Sequence, residues 1–185
     1  NVLFCDSRDI YFQSNPFNFF YKGSLNFFLE DKEIQNCPYN SNWIIKTYGR
    51  SKFITIKDKV ILCSGTVLGS SERIREYFSL MKRNILKYKY KKKLKYFLTF
   101  RRDPGGRGRD QGHANYIVHK DLIKDKNFYT NNEGPVATVF YLKKLNFDNQ
   151  SRLLNSLGEP YLIVHQYDKR WQEFKEHVEK IKENF

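Results

Sequence analysis

Short apolar runs that stop abruptly at polar residues predict the strands of this chain. These runs span residues 2–5, 60–63, 136–141 and 161–164. The first run is typical of a buried parallel strand, which delivers the residues after it to the edge of a sheet. After the second run, Gly65 and Gly69 are expected to form turns. The two later runs are short and rich in β-branched or aromatic residues, as strands are.

Apolar residues at helical spacing predict two amphipathic helices. The first begins at Ser70 or Ser71, either of which can cap it, and the second closes the chain. Their apolar faces are Ile74, Tyr77, Phe78, Met81 and Ile85 in the first helix, and Trp171, Phe174, Val178, Ile181 and Phe185 in the second. A further helix is expected to begin near Asp110. Segment 101–109 before it contains Pro104 and several glycines, which favours a mobile cationic loop.

Length and composition favour a single domain. Strands alternate with helices, which predicts the α/β class. The chain has 185 residues, of which 40% are hydrophobic, enough for one core and short of the usual length for two domains. We therefore expect one domain over residues 1–185. Because the chain opens at Asn1 directly with a strand, we expect the natural protein to contain a segment before it.

The charge balance is strongly basic. A formal net charge of +13 favours polyanionic partners such as phosphates, nucleic acid or anionic lipid. Much of the excess lies in residues 82–102, which contain no acidic residue, and a solvated helix end and loop is the simplest interpretation. No apolar run approaches the roughly 18 residues of a membrane-spanning helix. The compartment stays open, either cytoplasmic or membrane-associated through a segment outside this sequence.

The cysteines indicate reduced thiols. Cys5, Cys37 and Cys63 are odd in number and form no CxxC pair, so neither a disulfide framework nor a zinc site is supported. A bridge between Cys37 and Cys63 remains open, because separation along the sequence does not fix a distance in space.

Two carboxylates follow the first predicted strand, in the segment DSRD at residues 6–9. In open α/β sheets ligands bind beyond the carboxyl ends of strands, so Asp6 and Asp9 are expected to face a site. Carboxylate oxygens suit Mg²⁺ or Mn²⁺, and such an ion can bridge to diphosphate oxygens that the carboxylates alone would repel. In the alternative interpretation, Arg8 pairs with one of the aspartates in a salt-bridged turn.

The segment DSRDIYFQSNPF resembles the DxD-bearing strand end of nucleotide-sugar glycosyltransferases with the GT-A fold. Five further blocks resemble the same group, in the same order, over nearly the whole chain. They are NCPYNSNWI (36–44), ILCSGTVLGS (61–70), DQGHANY (110–116), NNEGPVATV (131–139) and IVHQYDKRW (163–171). The resemblance implies a GT-A-like mixed sheet flanked by helices. It also implies that residues 1–185 are the carboxyl-terminal part of a catalytic domain, inactive alone, that starts at the DxD-bearing strand.

The implied activity is transfer of a sugar from a nucleoside-diphosphate donor to a hydroxyl of a glycan or another acceptor, with Mn²⁺ or Mg²⁺. By this resemblance Asp6 and Asp9 hold the metal against the donor diphosphate. Some members of the group add a histidine from a late strand end, which makes His165 the candidate third ligand. Without the resemblance, His165 is more simply a hydrogen-bonded structural histidine. Arg8, between the aspartates, is also a candidate for donor binding.

Three further groups of residues receive roles from the resemblance. Asp110 and Gln111 resemble a DQ motif placed near the donor sugar and the acceptor, where Asp110 would position or deprotonate the attacking hydroxyl. Capping of the helix is the simpler account of Asp110. The residues that resemble a segment lining the acceptor side are Ser64, Gly65 and Thr66. Lys169 and Arg170, shortly after His165, are expected to neutralise the leaving diphosphate.

Two other classes of function remain open. The Lys/Tyr-rich stretch 82–102 would suit a nucleic-acid-binding module, in which cations meet phosphates and tyrosines stack on bases. A phosphoryl-transfer enzyme or nuclease would use Asp6, Asp9 and Asp110, since two-metal sites employ the same residue types. Glycosyl transfer is the leading hypothesis, and under it nucleic acid is not expected as a partner. The sequence does not show the donor sugar, the acceptor or the stereochemical course.

Overall fold

The computed structural model describes residues 1–99 and 109–183. The strands in this part of the chain are β1 (Val2–Cys5), β2 (Ile10–Phe12), β3 (Leu25–Glu33), β4 (Val60–Gly69), β5 (Asn127–Tyr129), β6 (Val136–Thr138), β7 (Asn146–Phe147), β8 (Leu153–Leu154) and β9 (Ile163–His165). The α-helices are α1 (Pro38–Tyr48), α2 (Arg50–Ile54), α3 (Ser71–Thr99), α4 (Arg109–His119) and α5 (Trp171–Glu183). Short 3₁₀ turns connect several of these elements. The predicted loop lies at 101–109, and its residues 101–108 fall outside the described residues.

Two mixed sheets organise the described chain. The first has the order β1-β4-β3-β5, in which β4 is antiparallel to both β1 and β3, and β5 is parallel to β3. The second has the order β2-β9-β6, in which β2 is antiparallel and β6 parallel to β9. Strands β7 and β8 form a separate antiparallel pair. The expected class, α/β with mixed sheets flanked by helices, is confirmed at this level.

Each sheet buries apolar residues against helices, and the two sheets bury apolar residues against each other. Helices α3 and α4 pack on the first sheet through a core that includes Phe27, Tyr77 and Ile117. Helix α5 covers the second sheet with Phe174 and Val178. The residues joining the sheets are Phe28, Leu68, Tyr129, Val136 and Ile163. Because both sheets are held from two sides, the strand ends between them are fixed in space.

The helix predictions agree with the structure. Helix α3 begins at Ser71, and the Ser70 hydroxyl accepts a hydrogen bond from the Arg73 amide at 3.3 Å, so Ser70 caps it. Helix α4 begins at Arg109, one residue before the expected start. In α5 the predicted apolar face buries Phe174 and Val178. Phe185, which was assigned to the same face, lies outside the described residues.

The direction and burial of β1 and the course of β4 correct the strand predictions. Strand β1 is antiparallel to β4 at the edge of its sheet, with Val2 and Phe4 exposed, rather than buried and parallel. Strand β4 does not end at Cys63 but continues through Gly65 to Gly69, because β1 and β3 pair with it on both sides. The two glycines therefore lie within a strand and form no turn.

Three other features differ from the predictions or extend them. The central strand β3 was missed, because apolar residues fill only the first half of LNFFLEDKE. The run 136–141 is a strand only to Thr138 and then a 3₁₀ turn, while the strand expected at 161–164 spans Ile163–His165.

All three cysteines are free thiols, as expected, so no Cys37–Cys63 bridge forms. Among the described helices, none is long and apolar enough to cross a membrane.

We predict that His119, at the end of α4, makes stability depend on pH. Its Nε2 donates to the Val60 carbonyl at 2.9 Å and its ring stacks on Phe128, and burial lowers its pKa to about 4. The folded state therefore favours the neutral ring. Stability is complete above the ordinary pKa near 6.5 and falls as pH drops from there towards 4, by up to about 3 kcal/mol at roughly 1.4 kcal/mol per pKa unit.

Urea denaturation of the wild type and of His119→Gln at pH 7.5 and pH 4 tests this dependence. The glutamine stays neutral and can still donate to Val60, so the variant should lose less stability on acidification. All other titrating groups are shared and cancel in the difference. Equal losses in the two proteins would contradict the prediction.

Candidate functional site

The segment at residues 6–9 crosses from the first sheet to the second. Strand β1 ends at Cys5 and β2 begins at Ile10, and these strands belong to different sheets. The Asp6 amide donates to the Gly65 carbonyl at 2.9 Å, which extends the ladder of the first sheet. The Gln166 amide donates to the Asp9 carbonyl at 2.7 Å, which extends the ladder of the second. Both aspartates are thereby fixed at the junction of the sheets.

His165 meets the two aspartates at this junction. It is the last residue of β9, lies opposite Ile10 in the ladder and is 1% exposed. Its Nε2 lies 3.3 Å from Asp6 Oδ2 and 3.5 Å from Asp9 Oδ1. One ligand atom from each of the three residues lies within 4.8 Å of the others. The structure thus brings together the three residues that the sequence selected as metal ligands.

The chemistry of these donors fits a divalent cation. The candidate ligand atoms are two carboxylate oxygens, which are hard donors, and one imidazole nitrogen, which is a borderline donor. Mn²⁺ accepts both kinds of donor, and Mg²⁺ prefers the oxygens. The Asp6 side chain is 53% exposed, whereas the Asp9 side chain is 20% exposed. An ion held here would therefore have protein on one side and open coordination positions on the solvent side.

Asp6, Asp9 and Cys63 favour positive charge at His165. Burial is the strongest influence on its pKa and lowers it, but Cys63 and the hydrogen bonds that His165 donates to Asp6 and Asp9 together raise the pKa to about 12. The same contact with His165 lowers the pKa of Asp9 against the opposing effect of burial. The groups around His165 therefore favour positive charge at this position.

Cys63 contacts the other side of the same imidazole. Its sulfur is fully buried on β4 and lies 3.1 Å from His165 Nδ1. Nε2 can bind a metal only through its lone pair, which requires that Nδ1 carry the proton and donate it to the sulfur. Cys63 is thus placed to accept a proton from Nδ1, an arrangement that would leave the Nε2 lone pair facing the aspartates.

Gly65 makes the close approach of these groups possible. A Cβ at this position would lie 2.3 Å from Asp6 Oδ2 and 2.5 Å from His165 Cε1, closer than real contacts allow. Gly65 therefore lets Asp6 and His165 approach each other closely, and it does not form the turn that the sequence also suggested. Of its neighbours, Ser64 contacts Asp110, while Thr66 is fully buried and its hydroxyl has no partner among the described residues.

An open cleft of about 460 Å³ adjoins the cluster. The residues that line it are Asp6, Ser7, Arg8, Asp9, Asp168 and Lys169. Within the described chain Arg8 forms no ion pair with Asp6 or Asp9, so the salt-bridged turn does not occur. Lys169 Nζ contacts Asp168 Oδ2 at 2.6 Å on the wall of the cleft. The cleft therefore presents two cations beside the candidate metal ligands.

Arg170 is placed differently from its neighbour Lys169. It is not among the residues that line the cleft. Its guanidinium pairs with Glu173 and donates to the carbonyls of Val139 and Leu142. Arg170 thus joins α5 to the end of the second sheet, and its expected contact with a leaving diphosphate is not supported by this arrangement.

The two residues of the DQ pair point in different directions. Asp110 is exposed in the first turn of α4, and its Oδ2 accepts a hydrogen bond from the Ser64 hydroxyl at 3.4 Å. Gln111 turns inward, where its Nε2 donates to Glu30 at 3.1 Å and to Asn40 at 3.4 Å. Since Ser64 precedes Gly65, Asp110 stands next to the metal candidates but outside their cluster.

Sequence reasoning missed Cys63, Glu30 and Gln166 as residues of the site. Glu30 is a carboxylate that directly follows the apolar residues of the strand-like run NFFLE, a pattern that would have marked it. Gln166 directly follows the histidine and has the left-handed backbone conformation, with φ of 66°. Nothing in the sequence indicates the distance between Cys63 and His165, which depends on how the sheets meet.

Comparison with protein-family models, with curated proteins and with solved structures finds no match to this chain. The fold and the site define a mixed α/β protein with a candidate three-ligand metal centre beside a partly cationic cleft. Because one fold serves many activities, the function has to be argued from this site.

We predict that Gly65→Ala weakens metal binding. The added methyl group must displace Asp6 or the His165 ring, so the Mn²⁺ dissociation constant should rise about tenfold, the effect of disturbing the support of a metal ligand. Isothermal titration with Mn²⁺ measures this, and Ser64→Ala on the same strand is the matched control. A folded Gly65→Ala protein with wild-type affinity would contradict the role given to Gly65.

Variants of Cys63 test the tautomer argument. Cys63→Ser keeps an acceptor for the Nδ1 proton and should bind Mn²⁺ nearly as well as the wild type. Cys63→Ala removes that acceptor and should bind roughly tenfold more weakly. Electron paramagnetic resonance of free Mn²⁺ gives both affinities. If the serine and alanine variants behave alike, the sulfur does not orient His165.

Proposed function

We propose that this chain belongs to the catalytic part of a metal-dependent glycosyltransferase. It would transfer a sugar from a nucleoside-diphosphate donor to a hydroxyl group of a glycan or another acceptor. The observation that carries the proposal is the convergence of Asp6, Asp9 and His165 beside a cleft that also holds Arg8 and Lys169. The mixed α/β fold is compatible with a GT-A-like architecture, which we propose with it.

The charges of the cleft suit a diphosphate. Its oxygens carry negative charge that Asp6 and Asp9 would repel, so a cation must stand between the two partners. A bound Mn²⁺ or Mg²⁺ would supply that bridge and Lewis-acid stabilisation of the leaving group. Arg8 and Lys169 line the same cleft and would neutralise the diphosphate oxygens that face away from the cluster.

The acceptor would enter beside Asp110. In the reaction the bond between the anomeric carbon and the diphosphate oxygen breaks, and the acceptor oxygen bonds to that carbon while losing its proton. Asp110 is an exposed carboxylate that shares a hydrogen bond with Ser64, next to Gly65 and the cluster. We assign it the positioning of the acceptor hydroxyl and the removal of its proton. Its contact with Ser64 would turn the carboxylate towards Gly65 and the cluster.

The geometry favours this function over metal-dependent phosphodiester cleavage by two metals. Two-metal sites need ions about 3.5–4 Å apart, with carboxylates arranged around both. In the described chain only Asp6, Asp9 and His165 form a group close enough for a metal, and Asp110 is not part of it. One ion bound by two carboxylates and a histidine matches the requirement of a diphosphate leaving group.

We expect the full-length protein to hydrolyse at least one sugar nucleotide in a Mn²⁺- or Mg²⁺-dependent reaction. Mn²⁺ binding should weaken at least tenfold in each of the variants Asp6→Asn, Asp9→Asn and His165→Gln. Each substitution removes a metal ligand itself, and losing only a hydrogen-bond partner of such a ligand already lowers metal affinity about tenfold. Titration calorimetry gives the affinities, and release of the nucleoside diphosphate from a panel of sugar nucleotides gives the activity.

The matched control is Asp168→Asn, which removes the same charge from the same cleft but outside the cluster. It should keep the Mn²⁺ affinity of the wild type. Metal-independent hydrolysis, or equal effects of Asp168→Asn and Asp9→Asn, would overturn the proposal. Cleavage of phosphodiesters without a sugar nucleotide would indicate a nuclease. Salt-sensitive binding of single-stranded RNA that persists in Asp6→Asn and Asp9→Asn would indicate a nucleic-acid-binding module.

A further inference from the structure

Glu30 is a buried carboxylate close to the candidate site. It lies in the middle of β3 and is 2% exposed. Its Oε1 accepts hydrogen bonds from Gln111 Nε2 at 3.1 Å and from Gln166 Nε2 at 3.4 Å. Neither partner carries a charge. A buried carboxylate held by neutral amides is costly, because the amides replace only part of the hydration that it loses.

The direction of the Glu30 pKa shift agrees with this cost. Burial raises the pKa of Glu30 to about 7, although the hydrogen bonds from Gln166 and Gln111 act in the opposite direction. An apolar side chain of similar size would avoid this cost. A buried carboxylate in such a position, bonded to the neighbours of candidate site residues, is itself a candidate functional residue.

The two partners of Glu30 belong to two different parts of the site. Gln111 follows Asp110 at the start of α4, and Gln166 follows the metal candidate His165 at the end of β9. Glu30 therefore stands between the proposed acceptor base and the proposed metal ligands. Through its hydrogen bonds it joins α4 to the second sheet.

Gln166 is held in an unusual conformation. Its backbone has φ of 66° and ψ of 24°, a left-handed conformation that is uncommon for a residue other than glycine. In this conformation its amide donates to the Asp9 carbonyl. Its Oε1 is buried and has no partner in the part of the chain that the structure describes, so the bond to Glu30 anchors the side chain. Such conformations persist only where the surroundings hold them.

We propose that Glu30 is a positioning residue that fixes Gln111 and Gln166 to each other, and thereby fixes the acceptor base relative to the metal ligands. This inference rests on the proposed glycosyl transfer. Loss of the Glu30 oxygen frees the Gln166 side chain and allows its backbone to relax. The relaxation shifts the Asp9 carbonyl and the adjacent His165, which loosens the metal site. The start of α4, which carries Asp110, also loses the hydrogen bond that Gln111 donates to Glu30.

The experiment compares Glu30→Met with Glu30→Gln. Methionine preserves the volume of the side chain but removes the acceptor oxygen, so Mn²⁺ binding should weaken about tenfold, as on loss of other outer contacts. Glutamine keeps an acceptor oxygen and should restore affinity to within about threefold of the wild type. Asp31→Asn, on the same strand and beside Asn131, is the control and should bind Mn²⁺ normally.

A double-variant cycle shows whether the effect passes through Gln166. Gln166→Gly accommodates the left-handed backbone and removes the side-chain amide that bonds to Glu30. In this background Glu30→Met should therefore cause little further loss of Mn²⁺ affinity. In turnover, Glu30→Met should lower kcat more than it raises KM, because Asp110 loses its orientation more than the donor loses contacts.

The outcomes separate this inference from the proposed function. Weakened Mn²⁺ binding in a folded Glu30→Met protein, with rescue by Glu30→Gln, supports the positioning role even if no sugar nucleotide is hydrolysed. Wild-type affinity in folded Glu30→Met overturns it, as does additive loss in the double variant. The positioning role is also overturned if Glu30→Gln weakens Mn²⁺ binding as much as Glu30→Met does. In that case the charge of Glu30 would matter rather than its acceptor oxygen. If the Glu30 variants give these negative results but the wild type still hydrolyses sugar nucleotides, the proposed function is supported and the positioning role of Glu30 is not.

Discussion

The site depends on two backbone hydrogen bonds, one at each end of the connection between β1 and β2. Asp6 is bound to Gly65 in the first sheet, and Asp9 accepts from Gln166 in the second. Each sheet is packed against helices, so both ends of this connection are fixed. The connection itself has only four residues, 6–9. A short connection with fixed ends gives its carboxylates little conformational freedom. Their position relative to His165 is thus established by folding, before any ligand binds.

The charge of the site is opposite to the charge of the whole chain. The net charge is +13, yet Asp6 and Asp9 contact a single imidazole at the junction of the sheets, and the buried Glu30 interacts with it electrostatically. A basic protein attracts polyanions over long distances, whereas this acidic pocket repels them at contact. Under the proposed function, a divalent cation would resolve this conflict, because it would bind the pocket and present positive charge to an approaching diphosphate.

Much of the site could be predicted from the sequence, while its detailed geometry could not. Polar residues at a strand end identified Asp6 and Asp9, the resemblance to GT-A glycosyltransferases added His165, and helical spacing identified α3 and α5. Periodicity reports burial but not direction, so β1 was expected to be parallel although it is antiparallel. Strand β3 escaped detection because the charged second half of LNFFLEDKE hides a strand that buries Glu30. The requirement for glycine at position 65 depends on a contact between two sheets, which no local pattern contains.

Adjacent residues of one motif do different work here, and helix geometry explains why. Successive residues of an α-helix point about 100° apart, since 3.6 residues complete a turn. Asp110 is therefore exposed beside Ser64, while Gln111 turns inward to Glu30. Gln111 thus ties the start of α4 to Glu30, while the neighbouring Asp110 faces solvent and Ser64. Under the proposed function, this pair would join the group that meets the acceptor to the residue that holds it in place.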